Sequence, residues 1–382
     1  MKFTCKQQDL SRGLSVVSHA VSSRSTLPIL ANVLLSAEQG RLKLAATNLE
    51  IGINCWVEAQ IEEEGTTTVP ARLFTELVNS LPQGSVQVTA QADTHVVNLQ
   101  CLGLGINTNV KGMDASEFPL IPTAEGGEPP ILLEAPLLKE MISQVAFAAA
   151  KDESRPVFTG VLVQVRDEQV TFVAADAFRL ATRTAPLPGA SEPREDILIP
   201  ARTLTELARI LPNEGPVEMI VTPNHRQVLF HTEQIDLVSR LLDGTFPNYR
   251  SIIPVEYKTR AVLETKALSE RVKAAALFAR NSSNITRLKI SPRGAGGSEN
   301  GTVTIEATAE DLGDTTSTLN AVVDGEEIQI IFNVDYLVDV LNVLDAPEIA
   351  LEVTSPMRPG VLRPVDATNY TYVIMPMHTN RG

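Results

Sequence analysis

One string of residues occurs twice in this chain and constrains it more than any other feature. Val69-Pro-Ala-Arg-Leu-Phe-Thr-Glu-Leu-Val-Asn-Ser-Leu-Pro82 returns as Ile199-Pro-Ala-Arg-Thr-Leu-Thr-Glu-Leu-Ala-Arg-Ile-Leu-Pro212. Each copy reads as a short helix. Pro70 and Pro200 suit a first turn, where a missing N–H costs nothing, and Pro82 and Pro212 block continuation. Leu73, Leu77 and Leu81 are expected on one face, and so are Leu204, Leu207, Ala208 and Leu211. A fainter third copy begins at Phe332-Asn-Val, with Asn333 as cap and Leu337, Val340, Leu341 and Leu344 inward. Near-equal spacing of three copies predicts a triplicated chain.

In 382 residues, three repeats of about 125 residues each match an ordinary domain size. Hydrophobic residues make up 43% and aromatic residues only 4%, so the cores must be built from Leu, Val, Ile and Ala. A net charge of −14 argues against a nucleic-acid partner unless the cations are gathered on one surface. Cys5, Cys55 and Cys101 are odd in number, widely spaced and without a CxxC pair, which predicts free thiols in a reducing compartment. There is no apolar leader and no uninterrupted run of about 18 apolar residues, so a cytoplasmic location with no membrane association is expected.

Along the chain, the first repeat opens with a strand at Lys2 to Cys5. A helix follows with Leu10, Leu14, Val17 and Val21 on one face, then strands at Val33 to Ala37, Arg41 to Thr47 and Ile51 to Ile61. The string at Val69 follows, then strands at Val86 to Thr89 and Val96 to Leu99. Thr123 to Pro130 is a linker by composition. The second repeat restarts with a strand at Ile131 to Glu134 and a helix from Pro136 with Leu138, Met141, Ile142, Val145 and Ala149 inward. Strands at Val161 to Val165 and Val170 to Ala174 come next. In the third, Thr265 is placed to cap a helix through Leu268, Val272, Ala275 and Ala279. Strands are expected at Arg287 to Ser291, Thr302 to Ala307 and Tyr370 to Met375, with a hairpin loop from Pro292 to Gly301. The implied boundaries are 1–122, 129–254 and 256–378.

Taken together, Met1-Lys-Phe-Thr, Arg24-Ser-Thr-Leu-Pro-Ile-Leu30, Val69-Pro-Ala-Arg72, Ala175-Asp-Ala-Phe-Arg-Leu180, Phe246-Pro-Asn-Tyr-Arg250, Phe332-Asn-Val and Tyr372-Val-Ile-Met-Pro-Met377 resemble the bacterial beta sliding clamps, the processivity subunits of DNA polymerase III. The resemblance spans the chain in order. It implies an α+β fold of three tandem DNA-clamp domains, each with two helices packed on antiparallel sheets. It also implies a head-to-tail homodimer closed into a six-domain ring around duplex DNA. No cofactor, no metal and no enzymatic activity are implied. The expected partners are double-stranded DNA, a second copy of the chain, the clamp loader, and DNA polymerases and repair factors that carry a clamp-binding peptide. Such a ring resolves the charge conflict if its helices present Arg12, Arg72, Lys139, Arg202, Arg209, Lys266, Arg271, Lys273 and Arg280 inward with few matching carboxylates. Acid such as Glu62 to Glu64 and Glu306 to Asp314 would then lie outside.

Carried over residue by residue, the resemblance places DNA contacts at Arg24 and Arg72 and in the segment Lys151 to Val157. There the family often has an amide and two tyrosines where this chain has Asp152, Pro156 and Val157. Lys151 and Arg155 stand in for them, so the expected set is Arg24, Arg72, Lys151, Arg155, Pro156 and Val157. The partner-peptide cleft is expected from Phe158, Ala175, Ala177, Phe178, Arg179, Leu180, Pro247, Ile252, Val373, Met375, Pro376 and Met377. Adaptable Met side chains in an apolar groove suit several ligands. Phe178 replaces a common His, Ser251 a common basic residue and Pro359 a small polar one, and His378 to Gly382 runs past the usual end. A more apolar cleft is therefore expected. The dimer interface is expected to set Ile106 and Thr108 against Leu277 and Phe278.

Enzyme chemistry lacks its usual signals. His19, His95, His225, His231 and His378 form no HxH or HExxH pattern, and there is no GxSxG elbow or GxxxxGK[ST] loop. The competing expectation is a β-rich repeat enzyme or carbohydrate-binding scaffold using Asp176, Arg179 and Tyr249 in a cleft.

Overall fold

The computed structural model describes residues 1–22, 27–38, 40–91, 94–101, 103–122, 128–189, 193–294 and 301–378. Arg24, most of the 123–130 linker, the tip of the 292–301 loop and the tail beyond His378 lie outside these residues. Six α-helices occur among the described residues: α1 Gln7–Ser18, α2 Ala71–Ser80, α3 Ala135–Val145, α4 Ala201–Ile210, α5 Thr265–Ala279 and α6 Val334–Leu341. They fall in pairs, each helix following a strand directly; Pro70 and Pro200, expected in the first turn of α2 and α4, instead end the preceding strands, and the helices start at Ala71 and Ala201.

The repeat survives in the strands as well as the helices. In the first third, Asn32–Glu38, Arg41–Thr47 and Ile51–Val57 pair antiparallel in turn, and Gly65–Pro70 returns beside the first of them. Gly160–Arg166, Gln169–Ala175, Arg179–Pro186 and Ile197–Pro200 repeat this order, as do Ile285–Ser291, Gly301–Ala309, Gly313–Gly325 and Ile328–Asn333. Gly301–Ala309 alternates buried residues with half-buried or exposed ones, as a sheet with one covered face does, whereas Gly160–Arg166 is buried along both faces up to the exposed Arg166, Gln164 included.

Two compact units emerge, and they do not coincide with three equal repeats. One comprises residues 1–138 and 206–241, the other residues 139–205 and 242–382. The first unit holds a five-stranded sheet that ends on Ile106–Lys111. It also holds an eight-stranded sheet in which Ile235–Arg240 pairs with Ile51–Val57. The second holds a twelve-stranded sheet in which Tyr370–Ile374 pairs with Arg179–Pro186. A strand that closes one repeat thus pairs across to the neighbouring repeat, which is why contact density divides the chain inside the second repeat.

Several sequence expectations need correction. α2 buries Ala71, Phe74 and Val78, while of the expected face Leu73 is 54% exposed, Leu77 half-buried and only Leu81, just past the helix end, buried. The large Phe74 ring points to the sheet and rotates the helix by about one residue relative to the leucine stripe. In α4 the expected face holds, with Leu204, Leu207 and Leu211 buried. α5 begins on Thr265, one residue earlier than a Thr cap requires. Its hydroxyl is buried without a partner, and the residue before it, Glu264, makes no capping bond. Asn333 does cap α6, accepting from the Asp335 N–H at 2.9 Å. The run from Ile51 to Ile61 breaks at exposed Glu58, and Ala59–Glu63 leaves for the five-stranded sheet. All three cysteines are buried free thiols.

Candidate partner-binding cleft

The cleft lies entirely within the second unit and forms where two antiparallel strands reach their ends together. Arg179–Pro186 pairs with Tyr370–Ile374, setting Leu180 opposite Val373. Beyond that pair both chains turn outward, and the Met375 N–H still donates to the Phe178 carbonyl at 2.8 Å. The turn that feeds the first strand is fixed by Asp176. Its carboxylate accepts from the Phe178 N–H at 2.7 Å, the Arg179 N–H at 2.9 Å and Arg179 Nε at 3.0 Å. Asp176 therefore has its acceptor sites committed to the turn, which argues against its use as a general acid or base.

The cavity of about 250 Å³ is lined by Arg155, Phe158, Ala175 to Leu180, Phe246, Pro247, Tyr249, Ile252, Val373 and Met375. Ten of the twelve residues expected from the sequence are brought together here. The other two are not: Pro376 is buried, and the half-buried Met377 is tied down by its N–H to the Ile331 carbonyl at 2.8 Å. The strand stops at Ile374, and Met375 is the last residue of this segment that lines the cleft. A second hollow of about 650 Å³ continues past Ile252 and Met375 towards Ser251, Met357, Arg358 and Pro359.

The apolar floor is the exposed edge of a packed cluster. Leu162, Val173, Ala175, Leu180, Leu198, Tyr249, Val361 and Val373 are buried together, and Val157, Phe158, Leu242 and Phe246 pack on them. Phe158 and Phe246 meet edge to face at 5.8 Å. Tyr249 is anchored from behind. Its hydroxyl donates to Gln164 Oε1 at 3.1 Å, Gln164 donates to Asp196 at 2.6 Å, and Arg166 donates to the same carboxylate at 2.7 Å. Burial pushes the Tyr249 hydroxyl above its usual pKa, keeping it protonated as the donor this chain of bonds needs.

The side wall is organised by Arg179, which is 6% exposed. Besides Asp176 it donates to Asp339 of α6 at 2.5 Å and to the Phe147 carbonyl at 2.7 Å. Burial opposes the charge, but Tyr372, Asp339 and Asp176 outweigh it and raise the pKa. The guanidinium is thus a fixed part of the wall.

The residues expected to touch DNA are scattered differently. Arg72 is exposed on α2 and paired with Glu76 at 2.9 Å. Lys151 and Pro156 are exposed, whereas Arg155 lines the cleft and Val157 is half-buried in its supporting cluster. The helix cations also have more carboxylate neighbours than expected. Arg12 pairs with Asp9, Arg209 with Glu206 and Arg280 with Asp335, all within one helix or between neighbouring ones. Arg202, Lys266, Arg271 and Lys273 are exposed. At the expected interface, Leu277 is 69% exposed and Phe278 half-buried, and Ile106 and Thr108 are half-buried on a strand at the end of its sheet.

Sequence reasoning assigned Arg155 to DNA and did not place Phe246 in the cleft. The string Phe246-Pro-Asn-Tyr was available as a signal for the second. Nothing local in Arg155 points to either surface.

The family comparison follows the same order of domains. The N-terminal domain of the DNA polymerase III beta subunit matches residues 1–122, its central domain residues 132–248 and its C-terminal domain residues 250–378. The chain belongs to the DNA polymerase III beta subunit family. The beta sliding clamp of Synechococcus elongatus is 34% identical over 381 residues, 99% of each chain. The crystal structure of the DNA polymerase sliding clamp from Bacillus subtilis matches with a TM-score of 0.91 at 30% identity, covering 99% of both chains. A sliding clamp from Pseudomonas aeruginosa, solved bound to griselimycin, matches with a TM-score of 0.90 at 26% identity and covers 99% of this chain and 100% of that one. As a sliding clamp, the chain is a replication processivity factor and not an enzyme.

Proposed function

We propose that two copies of this chain close head to tail into a six-domain ring that encircles duplex DNA in the cytoplasm. In this reading the cleft around Met375 holds short peptides of DNA polymerases, repair factors and the clamp loader. The domains are 1–122, 129–254 and 256–378. One observation carries the ring: two junctions between successive repeats use the same strand register. Tyr370 lies opposite Arg183, and Ile235 lies opposite Cys55. Stepping through the pairs Leu35, Leu44, Cys55 and Val163, Phe172, Arg183 makes Cys55 and Arg183 equivalent. The same steps through Leu288 and Ile305 arrive at Ser317. Ile106 is the counterpart of Ile235 and Tyr370.

Both halves of a third such junction are open among the described residues. Ile106–Lys111 ends its sheet, and the 313–321 stretch of Gly313–Gly325 is paired on one side only. An open edge is a template for another strand, and antiparallel addition of a second copy would satisfy both. The register then sets Ile106 opposite Ser317 of the second copy, Asn107 opposite Thr316 and Thr108 opposite Thr315. Leu277 and Leu73, exposed on α5 and α2, supply apolar surface for the adjoining helices.

DNA is held by enclosure, so individual contacts can stay weak. Arg24, Arg72 and Lys151, with Arg202, Lys266, Arg271 and Lys273, supply the bore. Arg155, Pro156 and Val157 contribute there only at the edge of the cleft. The test is retention on a nicked circular plasmid after loading. Linearising the plasmid at constant salt is expected to release the protein, and retention on the linear product would overturn the ring. The carbohydrate or enzyme reading fails to explain the paired junctions and needs the Asp176 carboxylate that Arg179 occupies.

A further inference from the structure

The first repeat builds the frame of the cleft a second time, wholly within the first compact unit. Asn48 stands where Asp176 does. Its side-chain oxygen accepts from the Glu50 N–H at 3.0 Å and the Ile51 N–H at 2.8 Å, as Asp176 accepts from Phe178 and Arg179. The Arg240 N–H donates to the Glu50 carbonyl at 3.1 Å, as Met375 does to Phe178. Val238 lies opposite Gly52 as Val373 lies opposite Leu180. The Ser22 N–H donates to the Leu30 carbonyl at 3.1 Å, as Ala150 does to Phe158 at 2.8 Å. At the same spacing along the chain the apolar cluster is repeated too. Leu30, Ala45 and Phe118 are buried, with Leu34 and Ile121 packed on them, in the places of Phe158, Val173, Phe246, Leu162 and Tyr249.

One position breaks the likeness. Leu180 lines the cleft, and its counterpart is Gly52. A Cβ at Gly52 would meet Ile121 Cγ2 at 2.8 Å, Cγ1 at 3.2 Å and Cδ1 at 3.4 Å, so the Ile121 side chain rests on that backbone. Tyr249, which Ile121 replaces, is held instead by its hydroxyl on Gln164, and Ser36 stands in the place of Gln164. An isoleucine has no such tether and settles into the space that the missing side chain leaves.

We propose that this junction between the first and second repeats is a second, latent peptide site, kept shut by Ile121. The ligand class is that of the cleft, a short peptide with an apolar pair, and the inference rests on the peptide-binding reading of that cleft. The wall suits such a ligand: Leu27 and Leu49, 48% and 46% exposed, take the places of the cleft-lining Arg155 and Ala177. Exposed Glu50 and Arg240 replace Phe178 and Met375 at the rim, so the second site gives less apolar contact and binds more weakly than the first.

The test is calorimetric titration of a Gln-x-x-Leu-Phe peptide into the full chain and its Ile121→Ala and Gly52→Ala variants, with melting temperature measured alongside. Ile121→Ala removes the plug, and Gly52→Ala displaces it from the other side. Each is expected to raise the stoichiometry from about one to about two peptides per chain. Met375→Arg should abolish binding in the unsubstituted chain, and adding Ile121→Ala should restore about one site. Unchanged stoichiometry in folded Ile121→Ala and Gly52→Ala would overturn the proposal, and so would two sites in the unsubstituted chain. Loss of the extra peptide in the Met375→Arg, Ile121→Ala double variant would assign it to the first cleft and reject the latent site. If the unsubstituted chain binds no peptide, the cleft reading itself fails. The plug is then read with the apolar dye anilinonaphthalene sulfonate, which Ile121→Ala should bind in about one extra copy per chain, and no gain would reject it.

Discussion

Cys5 and Cys55 show how far a sequence-silent environment governs chemistry at the scale of one residue. Burial pushes the Cys5 thiol up to about 12 and the Cys55 thiol up to about 11. In the unfolded chain both ionise near their ordinary value. Their contribution to stability is therefore complete below about pH 8.5 and is lost as pH rises towards the folded values, by about 1.4 kcal/mol per pH unit for each thiol. Urea midpoints measured between pH 8 and 10.5 should fall, and Cys5→Ala should flatten that fall. A thiol reagent at pH 8 should label almost nothing in the native chain and three thiols after denaturation. Gly112 carries a second residue-scale constraint. A Cβ there would sit 1.8 Å from the Thr68 carbonyl oxygen, and its own N–H donates to His95 at 2.7 Å. Gly112→Ala should cost about 1–3 kcal/mol or more by displacing the backbone beside Ile106–Lys111, read as a drop in urea midpoint.

At the scale of an element, α2 separates what a helical stripe can predict from what packing selects. Leu73, Leu77 and Leu81 have the right spacing, but so do Ala71, Phe74 and Val78, and periodicity ranks neither set above the other. The sheet settles it by accepting the Phe74 ring. Phe74→Ala is expected to cost about 3–5 kcal/mol, whereas Leu73→Lys should leave the urea midpoint of a dilute sample nearly unchanged and weaken self-association. The cap of α6 was legible because Asn before a helix has one strong use, and Asn333→Ala should lose about 1 kcal/mol. The Thr265 cap was misread by a single position. A Thr at a strand-to-helix corner serves as cap or as first helical residue depending on where the strand's pairing stops, and Glu264 is still paired with Glu348.

For the whole molecule, the decisive prediction concerns register. A chain carrying Ile106→Cys and Ser317→Cys should form a disulfide across two copies on mild oxidation, giving a covalent dimer by mass. Ile106→Cys with Thr308→Cys, a position that the register places elsewhere, should not. Equal cross-linking by both pairs would contradict the register drawn from the internal junctions. Leu277→Arg should shift the mass at low concentration towards a single chain, with the helix content of α5 kept.

The sequence by itself determined the threefold repeat, the helix positions and many of the strands, because each is written in local pattern: Pro brackets, alternating β-branched runs, and strings that recur; ten residues of the cleft were legible only through the family resemblance those strings carry. Tertiary structure alone decided which face of α2 is buried, that Arg155 lines the cleft and Val157 packs beneath it, that Arg280 of one helix end meets Asp335 of another helix, and that two compact units cut across three repeats. Those outcomes depend on side chains far apart in sequence competing for the same space or the same charge, as Arg280 and Asp335 do, and no local pattern records who wins.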